Sequence, residues 1–422
     1  MTHSQISKIK NFLTYFLTFL IPYQLFFPVY SEKHLTVALV LSSVLFFLYI
    51  KDIKFLLDDI SVKIFILFLL TIGLRGLFSL NKLETVKYIL FLGSGLVYYF
   101  VYLHSDIKKE NIILTLVLAT LPMVLLMVYT YHNEDKEFVI LKYPVMKLFI
   151  EPDTLQNALS GICYPNIYES NRVGGFFMNL NTCSLFLGML FTLVAGVFIY
   201  SENIFMKILF MIIMIFFLIG IIYTGSVGAL IAFIFSICIS GTFFILKKAK
   251  NTFRKFLYLL LFFVSIFFVN VILLKLNPRI LNMQENQDFH GRKLIWQASL
   301  EAIKRNWLFG TGLSGKEWDK VYNPFARGIG AQENTPPHNM FLYIWGRSGI
   351  IPVVLLAMFF IIKFYTSFKN FYLCNNIYSL IVFTATMWFL VQSTVENFPL
   401  MDLRITAIYW LILALEKKND LT

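Results

Sequence analysis

Long apolar runs follow one another along this chain, separated by short clusters of Lys, Asn, Asp, Gly or Pro. A bilayer core about 30 Å thick asks for roughly 20 apolar residues in a helix. Measured against that length, the sequence predicts about twelve spans, near 12–29, 35–50, 61–80, 86–103, 112–132, 173–200, 205–223, 226–246, 254–275, 339–363, 376–395 and 399–415. The expected fold class is all-α: a polytopic membrane protein forming a single domain over residues 1–422. The first span reads as an uncleaved anchor, because it is long and no small-residue cleavage site follows it.

Two stretches break the rhythm, 133–172 and 276–338, and loops of that length are usually functional or disordered. In the second, Trp296, Leu300, Ile303 and Trp307 fall on one face of a helix. Lys293, Glu301, Lys304 and Arg305 lie off that stripe. The pattern predicts an amphipathic helix, lying on the membrane surface, over the mouth of a cavity, or as a cap on the bundle.

Charge sets the orientation. Lys8 and Lys10, then Lys51, Lys54 and Lys63, then Lys108 and Lys109, then Lys207, then the Lys247–Lys255 cluster, then Lys363 and Lys369, and finally Lys417 and Lys418 fall on one side. The opposite loops carry only Lys33, Lys82, Lys87 and Arg404, apart from the two long ones. By the positive-inside rule both termini are cytoplasmic and both long loops lie outside.

Composition narrows the function. Hydrophobic residues make up 58% of the chain and charged ones 14%, against about 25% in an ordinary soluble domain. With a mean hydropathy of +0.72, this excludes a soluble enzyme and a disordered chain. A net charge of +12 does not point to nucleic acid, since the lysines are dispersed between spans and form no basic face. Cys163, Cys183, Cys238 and Cys374 show neither metal-ligand spacing nor a disulfide framework.

Polar groups at a membrane edge are costly and tend to mark function. On the outside face these are Arg172, Arg292, His338 and Glu396, with Arg75 and Arg347 in or near spans. Pro336 and Pro337 stop any preceding helix and leave His338 near a new helix N-terminus, which disfavours imidazolium. A neutral imidazole there can take a proton from a hydroxyl, or it can simply cap the helix. Arg172 precedes Val173-Gly174-Gly175-Phe176, and Arg292 opens the amphipathic segment. Arginine's planar fork of donors suits phosphate oxygens, although a lone arginine can also be an interfacial anchor. Gly310-Thr311-Gly312-Leu313-Ser314-Gly315-Lys316 imitates a phosphate-binding loop, but Glu317 replaces the Ser or Thr that would hold magnesium. No acidic cluster on the outside face suggests a metal site.

At these residues the chain resembles the O-antigen ligase and polymerase family of bacterial envelope glycosyltransferases. The resemblance rests on Pro336-Pro337-His338-Asn339-Met340-Phe341-Leu342-Tyr343-Ile344-Trp345 through Gly349-Ile350-Ile351. It also rests on Gly291–Trp296 with Asn306–Gly312, and on Arg172–Asn181. It departs at Thr224-Gly225-Ser226-Val227, where the family often carries an arginine in the place of Val227. The resemblance implies transfer of a glycan from undecaprenyl diphosphate to a sugar hydroxyl, outside the bacterial inner membrane, with inversion and without metal, nucleotide or other cofactor. It implies His338 as catalytic base and Arg292 and Arg172 as diphosphate ligands. Asn339, Glu396 and Arg347 are supporting candidates. Lys33-His34-Leu35 and Val395-Glu396-Asn397-Phe398 favour a ligase, with lipid A–core as acceptor, over a polymerase joining repeat units. Membrane lipids are the remaining expected partners. A facilitator-type transporter would place its long central loop between spans six and seven, where only Ser201–Ile204 stands. A lipid-linked sugar flippase would have evenly short loops.

The topology is directly testable. Reporter fusions after Asp153 and after Asn323 should report the periplasm, and a fusion after Lys250 the cytoplasm. A cytoplasmic signal at Asn323 would put His338 on the wrong side for such a transfer.

Overall fold

A computed structural model of the chain describes residues 3–25, 36–50, 58–150, 152–160, 172–177, 179–249, 251–276 and 287–417. Within them the chain is helical and contains no β-strand. In order, the helices are α1 (His3–Leu20), α2 (Val37–Tyr49), α3 (Ile60–Gly76), α4 (Lys82–His104), α5 (Lys109–His132), α6 (Glu134–Leu141), α7 (Met146–Phe149) and α8 (Pro152–Ser160). There follow α9 (Leu180–Tyr200), α10 (Ile204–Tyr223), α11 (Val227–Lys248), α12 (Thr252–Leu276), α13 (Gln287–Arg305) and α14 (Gly315–Ile329). The last are α15 (Met340–Ser348), α16 (Ile350–Cys374), α17 (Ile377–Ser393) and α18 (Leu403–Lys417).

Among the described residues, six helices are long and apolar enough to cross a membrane: α4, α5, α9, α10, α11 and α16. The shorter α2 and α17 are apolar as well. The polar clusters that separate the apolar runs act as helix starters. Asn81, Asn179, Asn203, Ser226 and Asn376 each accept a backbone N–H from the first turn of the helix they precede. The bundle pairs α4 with α18, α9 with α10, α11 with α17, and α16 with both α3 and α17. Indole rings fill notches left by glycine at the closest approaches. Trp410 lies against Gly95 and Trp388 against Gly188, where a Cβ would come within 2.1 Å of each ring.

Several predicted boundaries shift. The first helix begins at His3 and ends at Leu20, short of the predicted 29, and 26–29 lie outside the described residues. The third predicted span ends four residues early, in a turn after Gly76. Residues 173–177 are not helical: an extended stretch leads into a 3-10 turn at Gly175–Phe177. The span read as 339–363 is two helices, broken at Gly349 (φ 87°). The backbone there passes so close to Leu308 O and Phe309 Cα that no Cβ fits. The last span opens with a 3-10 turn, Pro399–Met401, before α18.

The long loops are also helical. The 133–172 stretch holds α6–α8 around a small core of Leu141, Met146, Ile150, Leu155 and Ala158, while 161–171, with Cys163, lies outside the described residues. The 276–338 stretch holds α13 and α14, whose shared core is Ile295, Ala298, Ala302 and Ile303 against Trp318, Tyr322 and Ala326. This corrects the predicted stripe. Small alanines let α13 approach α14, so Leu300 and Trp307 are turned outward, 41% and 53% exposed.

At the end of the bundle where α3 begins, Lys363 of α16 is 2% exposed and pairs with Asp59 at 3.0 Å. Asp59 also accepts from Tyr99 Oη at 3.3 Å and caps α3 through Ser61 N. Lys363→Met should lower unfolding stability by about 3 kcal/mol, because it leaves a largely buried carboxylate with only the more distant Lys417, at 3.9 Å, as a cation. Asp59→Asn with Lys363→Met should recover most of that loss. Thermal unfolding in detergent of the single and double variants checks both.

Candidate active site

The opposite end of the bundle gathers the polar residues. Pro336 and Pro337 deliver the chain to His338, whose backbone is left-handed (φ 48°), an uncommon conformation for a residue with a Cβ. Its N–H donates to Asn397 Oδ1 at 2.8 Å. Asn339 caps α15, accepting from Phe341 N and Leu342 N at 3.0 and 3.1 Å, and its Nδ2 donates to Thr394 O at 3.0 Å. Residues 394–397, between α17 and α18, thus form a strap that fixes both His338 and Asn339.

Glu396 on that strap is 7% exposed. Asn181, in the first turn of α9, donates to its Oε1 at 3.1 Å. Asn181 Oδ1 accepts from Ser226 Oγ at 2.7 Å, and Asn181 O from Gln392 Nε2 at 2.6 Å. Gln392 also donates to Ser184 Oγ at 2.8 Å and accepts from the Trp388 indole at 3.0 Å. This ladder joins α9, the N-terminus of α11 and the end of α17. Ser226, Gln392 and Asn397 were not candidates from sequence. Ser226 and Asn397 stood only inside the family-like segments Thr224–Val227 and Val395–Phe398, and Gln392 was no more than a polar residue at the end of an apolar run.

Arg172 enters from the other side. Its Nε donates to Thr224 O at 2.9 Å, and Val173 N to Tyr223 O at 3.0 Å. Its side chain lies over Gly225 (φ 60°), where a Cβ would come within 2.9 Å of it. Arg172 therefore covers the turn that leads into Val227. Arg404, read from sequence only as a loop charge, forks onto Asp402 and donates to Phe176 O at 3.0 Å, pinning the 175–177 turn.

Arg292, on α13, lies near enough to His338 and Glu396 for its charge to act on both. Burial, and then the Arg292 charge, push the His338 imidazole down to about 4, so it is neutral at neutral pH. Its Nδ1 is buried with no hydrogen-bond partner among the described residues. The sequence reading attributed neutrality to the helix end, but burial and Arg292 are what the site supplies. Burial raises the Glu396 carboxyl above its ordinary value, against the opposing pull of the Asn181 hydrogen bond and of Arg292.

Arg347 and Arg75 serve a neighbouring structure. Arg347 donates to Tyr88 Oη at 2.9 Å and to Leu313 O at 2.8 Å, and it stacks over Tyr343. Arg75 donates to Gly310 O at 3.3 Å. The glycine loop at 310–316 holds a carboxylate of its own. Glu317 accepts from Ser79 Oγ (2.6 Å), Leu80 N (2.8 Å) and Ser314 N (3.1 Å). Although burial opposes it, these donors keep the carboxyl below its usual range. The loop is a clasp between the α3–α4 turn and α14. Among the described residues, no three His, Cys, Asp or Glu side chains converge as metal ligands would.

Comparison with known families bears on half of this site. Residues 210–357 match the family model described as O-Antigen ligase, a match that supports the resemblance to the O-antigen ligase and polymerase family over that segment. The match runs from α10 into α16 and contains Arg292, His338, Asn339 and Arg347. Arg172, Asn181, Glu396 and Asn397 lie outside the matched segment and are brought to it by the fold. No curated protein matches the chain.

The electrostatic arrangement has a measurable sign. Arg292→Gln removes one of the two influences that disfavour imidazolium, so the His338 midpoint should rise from about 4 while staying below the ordinary 6.5, because burial remains. Histidine-selective NMR titration, assigned with His338→Gln, measures it. An unchanged midpoint would remove Arg292 from the neighbourhood of His338.

Proposed function

We propose, starting from the family match over residues 210–357, that the protein is an O-antigen ligase. It transfers a glycan from undecaprenyl diphosphate to a sugar hydroxyl of lipid A–core, at the periplasmic face of the bacterial inner membrane, with both termini in the cytoplasm. His338, held left-handed and neutral beside Arg292, is the observation that carries the reading.

In the proposed step the acceptor oxygen attacks the anomeric carbon. The bond from that carbon to the diphosphate oxygen breaks, and the hydroxyl proton passes to His338. A single displacement inverts the anomeric centre. The leaving undecaprenyl diphosphate takes the electron pair, and Arg292 and Arg172 stabilise its charge through fork-shaped donation. With the diphosphate on Arg292, the arginine's positive charge is offset, and one of the two influences holding down the His338 pKa is relieved. Glu396 lies near Arg292 and is held by Asn181, and Asn339 anchors the His338 turn to the strap. Arg347 supports the site indirectly, by fixing the chain around Leu313 against α15. The reaction as written consumes no nucleotide and requires no metal, because the donor carries its own leaving group.

The test is transfer by purified protein from a defined lipid-linked donor. His338→Ala should lose about 10²–10⁴ in rate, the usual cost of removing a general base, while retaining donor binding. Near-normal turnover would exclude His338 from the mechanism. A chromosomal deletion separates the two chemistries of the family. Lipid A–core without any O-antigen, with long chains accumulating on the carrier, means ligase. A single repeat unit on the core means polymerase.

A further inference from the structure

Beside the α13–α14 pair runs an apolar groove of about 690 Å³, lined by Leu300, Ile303, Trp307, Phe325, Ile329 and Trp345. The polar side chains along it, Gln297, Glu301 and Lys304, are few, and the last two pair with each other. Such a lining offers little to a sugar or a diphosphate and much to a hydrocarbon chain.

The position of the groove indicates where that chain comes from. Trp307 O accepts from Ile350 N at 3.1 Å and from the Trp345 indole at 2.8 Å. The Trp345 indole and the Trp307 backbone therefore sit at the first turn of α16, a helix long and apolar enough to span the membrane. The exposed apolar side of that helix begins one residue further on, at Ile351 and Val354, 49% and 48% exposed. On the other side of the 307–310 turn stand Leu77, Phe78, Leu80 and Leu83, each more than 60% exposed. Arg75 ties that segment to the turn through Gly310 O, and Glu317 ties it to α14 through Leu80 N. Lys82 follows at the start of α4, so the belt combines apolar, aromatic and lysine side chains, as at a membrane–water boundary. The groove is thus a continuation of the bilayer-facing surface, rising from it onto the α13–α14 pair.

We propose that this groove takes the acyl chain of a bilayer phospholipid, which leaves the leaflet at Trp307 and lies along α13. The occupant anchors the α13–α14 pair, and with it Arg292, at a fixed height above the membrane. The inference is independent of the chemistry proposed for His338.

Tryptophan quenching tests it. Full-length protein is reconstituted in phosphatidylcholine brominated either near the head or near the end of the acyl chain. The signal is the emission lost on Trp307→Phe with Trp345→Phe, which isolates the groove's indoles. A chain lying in the groove brings its far end to them, so chain-end bromine should quench this component at least as strongly as head-proximal bromine. Leu300→Asp with Ile329→Asp should at least halve that quenching, while elution as a monodisperse species shows that the variant is folded. Quenching by head-proximal bromine alone would mean an ordinary interfacial contact and would overturn the proposal. So would quenching only by a water-soluble agent. Shielding from both agents in a dimeric protein would assign the groove to a second copy. Loss of chain-end quenching on adding stoichiometric unbrominated polyprenyl diphosphate would assign it to an isoprenoid chain instead, and would likewise refute a phospholipid.

Discussion

A buried carboxylate at the end of an apolar bundle must be held by donors, and the site depends on how Glu396 meets that requirement. Burying an uncompensated charge costs several kcal/mol or forces its neutralisation. Asn181 supplies the donor, and its remaining polar atoms are in turn occupied by Ser226 and Gln392. Because the partners come from α9, α11 and α17, satisfying one carboxylate fixes the relative placement of three helices. The strap carrying Glu396 also carries Asn397 and Thr394, so the same constraint sets the position of His338 and Asn339.

The molecule contains two kinds of polar network, and the contrast separates scaffold from site. Glu317 takes its donors from its own chain and closes a glycine loop that would otherwise invite an anion. Asp59 and Lys363 satisfy each other in the same way. Such closed networks rigidify, and offer nothing to a ligand. Around His338 the pattern is different: a buried imidazole nitrogen lacks a partner among the described residues, and the nearby cation Arg292 acts at longer range. On the proposed reading, the anionic donor and the hydroxyl-bearing acceptor take up that open capacity.

The helices were legible in the sequence because long apolar runs have few other uses. His338 was legible because two prolines isolate it, and Arg292 because it opens a periodic segment. What could not be read is the pairing between distant residues. Asn181 and Glu396 are 215 residues apart, and Gln392 reaches Asn181 across 211. Nothing local in sequence links them, since each stands in a separate segment with no pattern that pairs it with another. The break at Gly349 was not evident because long apolar runs continue beyond Gly346–Gly349 on both sides, and only the close passage of Leu308 and Phe309 requires it. The face of α13 was misjudged for a related reason. Hydrophobicity marks Trp296, Leu300 and Trp307, but close packing on α14 selects Ala298 and Ala302, whose small side chains carry little weight in a periodicity.

The turn before Val227 shows how a cation can be supplied to a helix start by a distant segment of the chain. The turn formed by Thr224, Gly225 and Ser226 is preserved as a geometric element. It caps α11 through Ser226, offers Thr224 O as an acceptor, and leaves Gly225 bare enough for another side chain to lie across it. Arg172 occupies that surface, and its Nε is fixed by the turn itself. A cation is therefore delivered to the approach to α11 by the segment before α9, with no arginine at Val227. For this to work, Gly225 must remain without a Cβ, because any larger residue would displace the Arg172 stem as well as strain the left-handed backbone. The glycine and the arginine thus form one unit, although 53 positions separate them in the chain.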